Sequence, residues 1–144
     1  MTTPDRRLAR YEDFHVGQRA SFSKTISEAD VERFADLTGD DNPLHVDEEF
    51  AGATFFGSRI AHGMLAGSLL STVIGTLLPG TGAIYRAQSL TFLRPTRLGD
   101  RLTAWVEVAA IDPAAEVIEL ETGVDNQRGE RVIEGAARVA LIRS

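Results

Sequence analysis

From Ile60 to Tyr85 the chain carries no Asp, Glu, Lys or Arg, and no other stretch restricts its fold as strongly. A run this long and apolar must leave water, either in a bilayer or in the centre of a fold. It holds His62, Ser68, Ser71, Thr72 and Thr76, is closed by Pro79 and Gly80, and has neither an aromatic belt nor a basic cluster at its flanks. Those features argue against a membrane span. The expected element is a helix from about His62 to Leu78, buried by sheet on most sides.

Gly63, Gly67, Ser71 and Gly75 recur every fourth residue and share one face of that helix. Each interior glycine costs about 1 kcal/mol relative to alanine, so something must approach this face closely. Packing of the helix on a sheet and a ligand groove would both do so, and the spacing does not separate them.

Downstream the period changes to two. Leu90 and Phe92, then Leu102, Ala104, Val106 and Val108, then Ile118, Leu120, Thr122 and Val124 alternate with polar or exposed positions, and a last strand is expected from about Val132 to Ile142. Turn residues separate these runs at Leu98-Gly99-Asp100, at Asp112-Pro113 and from Asp125 to Gly129. Long strands joined by short turns predict an antiparallel meander, and one core helix ahead of it makes the fold α+β. Upstream, a first strand is expected near 17–25. Ser27 is placed to cap a helix whose stripe is Val31, Phe34, Ala35 and Thr38, and Gly39 suits its left-handed end. Asp47 is placed to cap a further short turn through Phe50 and Ala51. With 144 residues and no linker or repeat, the chain reads as one domain over 14–144 after an N-terminal segment, 1–13.

The net charge of −6 disfavours a nucleic-acid partner, and the absence of cysteine excludes disulfides and thiolate metal sites. No apolar leader follows Met1 to Arg7. A cytoplasmic protein with no membrane partner is the expectation.

The chemistry concentrates in Gly39-Asp40-Asp41-Asn42-Pro43-Leu44-His45. Pro43 lacks an amide proton and pushes Asn42 out of the α region, so the segment reads as a loop. A loop can aim Asp40 and His45 at one point, where an acid and an imidazole hold and activate a water. Taken alone, Asp-Asn-Pro after a glycine is also an ordinary helix exit. Asn42 suits loop shaping through side-chain to backbone bonds. Asp40, Asp41, His45 and Asp47 offer metal-ligand chemistry in principle, but such residues also cap and turn, and hydration needs no metal; none is expected. Shortly downstream, Ala61-His62-Gly63-Met64 opens the apolar helix.

With the first motif, this patch resembles the MaoC-like (R)-specific enoyl-CoA hydratase family. Ser89 to Pro95 and Leu98-Gly99-Asp100 look like it too, and the likeness runs from about Phe14 to the C-terminus. The resemblance implies a hotdog fold, a long helix wrapped by an antiparallel sheet. It also implies reversible hydration of trans-2-enoyl-CoA to (R)-3-hydroxyacyl-CoA, in fatty-acid or polyhydroxyalkanoate metabolism. Asp40 and His45 would form the catalytic dyad, with the base undecided between them. The Gly63 amide, an unpaired donor at a helix start, would bind the thioester oxygen. Ser71 would line the site, although a small packing residue explains it equally well. His62 reads either as a supporting residue or as an ordinary histidine near a helix start. The resemblance implies an acyl-CoA substrate, no separate cofactor, and a homodimer or dimer of hotdogs. The alternatives are an acyl carrier protein dehydratase, a hotdog thioesterase and a non-catalytic acyl-binding subunit.

Overall fold

The elements follow one another as β1 (Arg19–Thr25), α1 (Glu28–Thr38), α2 (Pro43–Val46), α3 (Glu48–Gly52), α4 (Gly63–Thr76), β2 (Ala83–Gln88), β3 (Thr91–Phe92), β4 (Arg101–Asp112), β5 (Val117–Asp125) and β6 (Arg131–Leu141), after a 3-10 turn at Tyr11–Asp13. This is a computed structural model describing residues 6–144; the part of the leader reading that falls on residues 1–5 lies outside the described residues.

The period-2 reading of β4 and β5 holds residue by residue. Leu102, Ala104, Val106 and Val108, and Ile118, Leu120, Thr122 and Val124, are each at most 2% exposed. They face Ala66, Leu69, Leu70, Val73 and Ile74 of α4, which recur at helical spacing and are buried too. Each such aliphatic side chain contributes about 1.5–3 kcal/mol on burial. The result is the expected α+β hotdog, with α4 packed on one face of an antiparallel sheet. Among the described residues no helix is long and apolar enough to cross a membrane.

Two expectations are corrected. The plain meander holds only for β4, β5 and β6. The sheet order is β1-β4-β5-β6-β2, with β3 also on β6. The chain leaving α4 arrives beside the end of β6, where Ile142 N–H donates to Gly82 O at 2.8 Å, so β2 must pair there. Alternation along a strand carries no information about its neighbour. The second correction concerns α4, which is buried on one face only. Met64, Ser68, Ser71 and Gly75 on its other side are exposed. The small stripe is therefore divided. A Cβ on Gly63 would lie 2.8 Å from the Phe92 ring and one on Gly67 3.3 Å from Leu90, whereas one on Gly75 would meet nothing within 4 Å.

Two other glycines mark close approaches within the sheet. Between β2 and β3 the main chain at Ser89 crosses over Gly135, where a Cβ would lie 1.9 Å from Ser89 O. Ser89 N–H donates to Ala136 O (2.8 Å) and Ala136 N–H donates to Ser89 Oγ (2.9 Å). On the outer face Trp105 lies over its cross-strand partner Gly123, and the Arg19 and Arg131 guanidinium carbons stand 4.2 and 4.9 Å from the indole centre. The indole is thereby covered to 7% exposure without entering the core.

Candidate active site

α1 is opened by a capping box in which Asp30 N–H donates to Ser27 Oγ and Ser27 N–H donates to the Asp30 carboxylate. That backbone donor holds the Asp30 carboxyl below its ordinary range. The helix ends at Gly39, which has φ +82° and donates its N–H to Ala35 O at 2.8 Å. The next residue is Asp40. Its N–H donates to Thr38 Oγ1 and its exposed carboxylate accepts from Asn42 N–H at 3.4 Å.

The loop then gives way to a helix sooner than expected. Pro43–Val46 is one helical turn, which corrects the reading of the whole segment as a loop. Pro43 stands at the first helical position, where a missing N–H is not needed and its fixed φ suits the helix. Asn42 caps the turn, its Oδ1 accepting from Leu44 N–H at 3.1 Å. Asn42 and Pro43 thus shape the segment, and they do so by starting the turn that carries His45.

His45 is half-buried, and its Nδ1 lies 2.8 Å from the carbonyl oxygen of Ile60. A carbonyl only accepts, so Nδ1 carries a proton, and in the neutral imidazole Nε2 is then the acceptor. The His45 carbonyl in turn accepts from Arg59 Nε at 2.7 Å, and Arg59 Nη1 donates to Glu28 Oε1 at 2.9 Å. Arg59 is 7% exposed. This buried guanidinium ties the His45 turn to the first turn of α1.

His62 lies at the N-terminal end of α4 and is 2% exposed. Its Nε2 is 2.8 Å from Asp40 O, and its ring centre is 3.9 Å from that of His45 and 4.7 Å from that of Phe34. An oxygen of the Asp40 carboxylate and one ring nitrogen from each of His45 and His62 lie within 4.8 Å of one another. Two acceptors that share one water at about 2.8 Å apiece can stand within this distance of each other. The same set would also suit a divalent ion, with His62 in place of Asp41 and Asp47. Asp47 instead caps α3, accepting from Phe50 N–H at 3.0 Å.

Gly63 follows His62, and its N–H donates to no acceptor among the described residues. It is the first amide of α4, where the helix favours negative charge. A Cβ here would meet the Phe92 ring at 2.8 Å, so a larger residue would have to displace that ring. Gly63 and Phe92 also line a cleft of 490 Å³ with Phe56, Ile60, Met64 and Thr96. Asp40, His45 and Gly63 are thus gathered around His62. Ser71 is not among them. It lies two turns along α4, about 12 Å at 1.5 Å per residue, and is exposed. The site offers two proton acceptors beside one free amide donor, the equipment for moving a proton next to a carbonyl whose oxygen gains charge.

Arg59 was not legible as a site residue. It acts on the main chain of His45, and an arginine ending an apolar run carries no mark of that contact. His62 had a signal, its place in the second motif, but its partners emerge only in three dimensions.

The MaoC like domain family model matches residues 13–129. The chain is 48% identical over 141 residues to the (R)-specific enoyl-CoA hydratase of Rhodospirillum rubrum, covering 98% of this chain and 97% of that protein. It is 44% identical over 130 residues to the (R)-specific enoyl-CoA hydratase of Aeromonas caviae, covering 90% and 97%. The solved structure of R-hydratase PhaJ1 from Pseudomonas aeruginosa, in the unliganded form, superposes with a TM-score of 0.89 at 42% identity, covering 95% of this chain and 88% of that one.

Proposed function

The chain belongs to the MaoC-like domain family, and from that premise we propose that it is a hydro-lyase adding water to trans-2-enoyl-CoA to give (R)-3-hydroxyacyl-CoA, reversibly. The observation that carries this reading is the meeting of Asp40, His45 and the unpaired Gly63 N–H at His62. The carrier and stereochemistry are those in the names of the two hydratases reported above.

The thioester oxygen accepts from Gly63 N–H, which draws electrons from the double bond and makes C3 electrophilic. A water held between the Asp40 carboxylate and His45 Nε2 attacks C3 and gives up a proton to one of them. The π electrons move toward the carbonyl as an enolate, whose charge faces the Gly63 amide. A proton returns to C2 as the carbonyl reforms. Charge stays within carbon, oxygen and the two side chains, so the proposed reaction uses neither a metal nor a redox cofactor.

Purified protein is expected to remove the enoyl absorbance of crotonyl-CoA and to yield the (R) product on chiral analysis. Prolonged EDTA treatment should leave the rate unchanged. An inert protein, or an (S) product, would overturn the reading. A chelator-sensitive rate restored by zinc would turn Asp40 and His45 into ligands.

The working unit proposed is a homodimer in the reducing cytoplasm, a compartment that suits a chain without cysteine. Support for pairing comes from the open side of α4 and the nearby β2–β3 edge, where Met64, Leu77, Phe92 and Leu93 are 46–57% exposed. Light scattering should give a mass near twice the 15.6 kDa of one chain; a monomer at micromolar concentration would exclude the pair.

A further inference from the structure

Resting on that reaction, we propose that His62 is a positioning residue that holds both halves of the site in register. It touches the Asp40 main chain through Nε2 (2.8 Å) and the His45 ring through its face (3.9 Å), and it immediately precedes the Gly63 donor. The tautomer follows from the partner. Asp40 O can only accept, so the proton is on His62 Nε2. Nδ1 of His62 is buried and has no hydrogen-bond partner among the described residues.

A merely structural histidine would place its polar atoms otherwise. A buried ring usually satisfies both nitrogens; this one leaves one unpaired while its other nitrogen fixes the backbone of the residue that carries the acid. Phe34 also packs on the ring, centre to centre at 4.7 Å, so the imidazole is held by an aromatic ring as well as by the imidazole of His45. Moving it displaces Asp40 and His45 together. It also shifts the start of α4, and with it the amide facing the thioester oxygen. Displacements of about 1 Å around reacting groups cost on the order of 10²-fold in rate.

Two substitutions separate the parts. His62→Phe keeps a flat ring between Phe34 and His45 but loses the N–H to Asp40. His62→Gln keeps a donor at about that reach but loses the ring. With crotonyl-CoA, His62→Phe is expected to lower kcat by 10- to 100-fold with KM within about threefold of wild type, and His62→Gln should regain part of the loss. A His62→Phe kcat within twofold of wild type would overturn the proposal, as would equal losses in a Phe variant that melts like wild type and the Gln variant. A readout independent of turnover keeps this inference separate from the assigned reaction. The chain has 3 histidines, so imidazole ¹H–¹⁵N spectra are simple to assign. The expected tautomers are Nε2–H for His62 and Nδ1–H for His45, and the His45 Nδ1–H signal should shift or broaden in His62→Phe. Reversed tautomers, or a His45 signal indifferent to the substitution, would overturn the proposal even in a fully active enzyme.

Discussion

Asp40→Asn and His45→Gln are each expected to lower kcat by about 10²–10⁴-fold while the protein melts as wild type. Asn at position 40 keeps the shape and can still accept from Asn42 N–H, but it cannot take a proton. Gln at position 45 can still donate toward Ile60 O, yet it has no basic nitrogen to offer a water. Neither change empties the core, since Asp40 is exposed and His45 half-buried. If both groups hold one water, the double variant should lose little more than the worse single one, because residues acting as a unit are far from additive. Steady-state kinetics with crotonyl-CoA, beside a thermal melt, decide this. Wild-type turnover in either single variant would remove that residue from proton transfer.

The largest effect on stability is expected outside the Asp40–His45–His62 cluster, at Gly135→Ala. The added methyl would stand 1.9 Å from Ser89 O and 2.8 Å from Ser89 C, and both belong to main chain that cannot swing aside. Either β6 or the crossing at Ser89 must move. The hydrogen bonds between Ser89 and Ala136 then lengthen. Overpacking costs about 1–3 kcal/mol, occasionally more, and each weakened hydrogen bond adds about 0.5–1.5 kcal/mol. A loss of about 3 kcal/mol is expected, read as a lower urea midpoint at unchanged slope by circular dichroism. A midpoint equal to wild type would mean that the two segments do not cross there.

What the sequence showed, and what it did not, follows from the range of each interaction. The alternation of Leu102 to Val108 and the spacing of Leu69, Leu70, Val73 and Ile74 are local, so the strands and the central helix were legible. The order of the strands was not, because it depends on where α4 delivers the chain. Pro43 signals a break in sequence although it starts the turn that carries His45, since the same ring fits the first helical position and no later one. The exposed side of α4 was hidden by composition, because glycine and serine suit a packed face and an open one alike. Asp40, His45 and Gly63 were visible as a motif. The carbonyls of Ile60 and Asp40, which set the two imidazole tautomers, are main-chain atoms and leave no trace in residue identity.

Trp105 is the chain's single tryptophan, and its position over Gly123 makes it a built-in optical probe. Its indole N–H is buried without a partner among the described residues, and two guanidinium groups cover the ring. Native fluorescence should therefore be blue-shifted from that of hydrated indole and should move red when β4 separates from β5. Because the indole packs across the β4–β5 pair over Gly123, the signal follows the integrity of the sheet. The folded fraction of every variant at Asp40, His45 or His62 can thus be read in the same cuvette as its activity, with no label added.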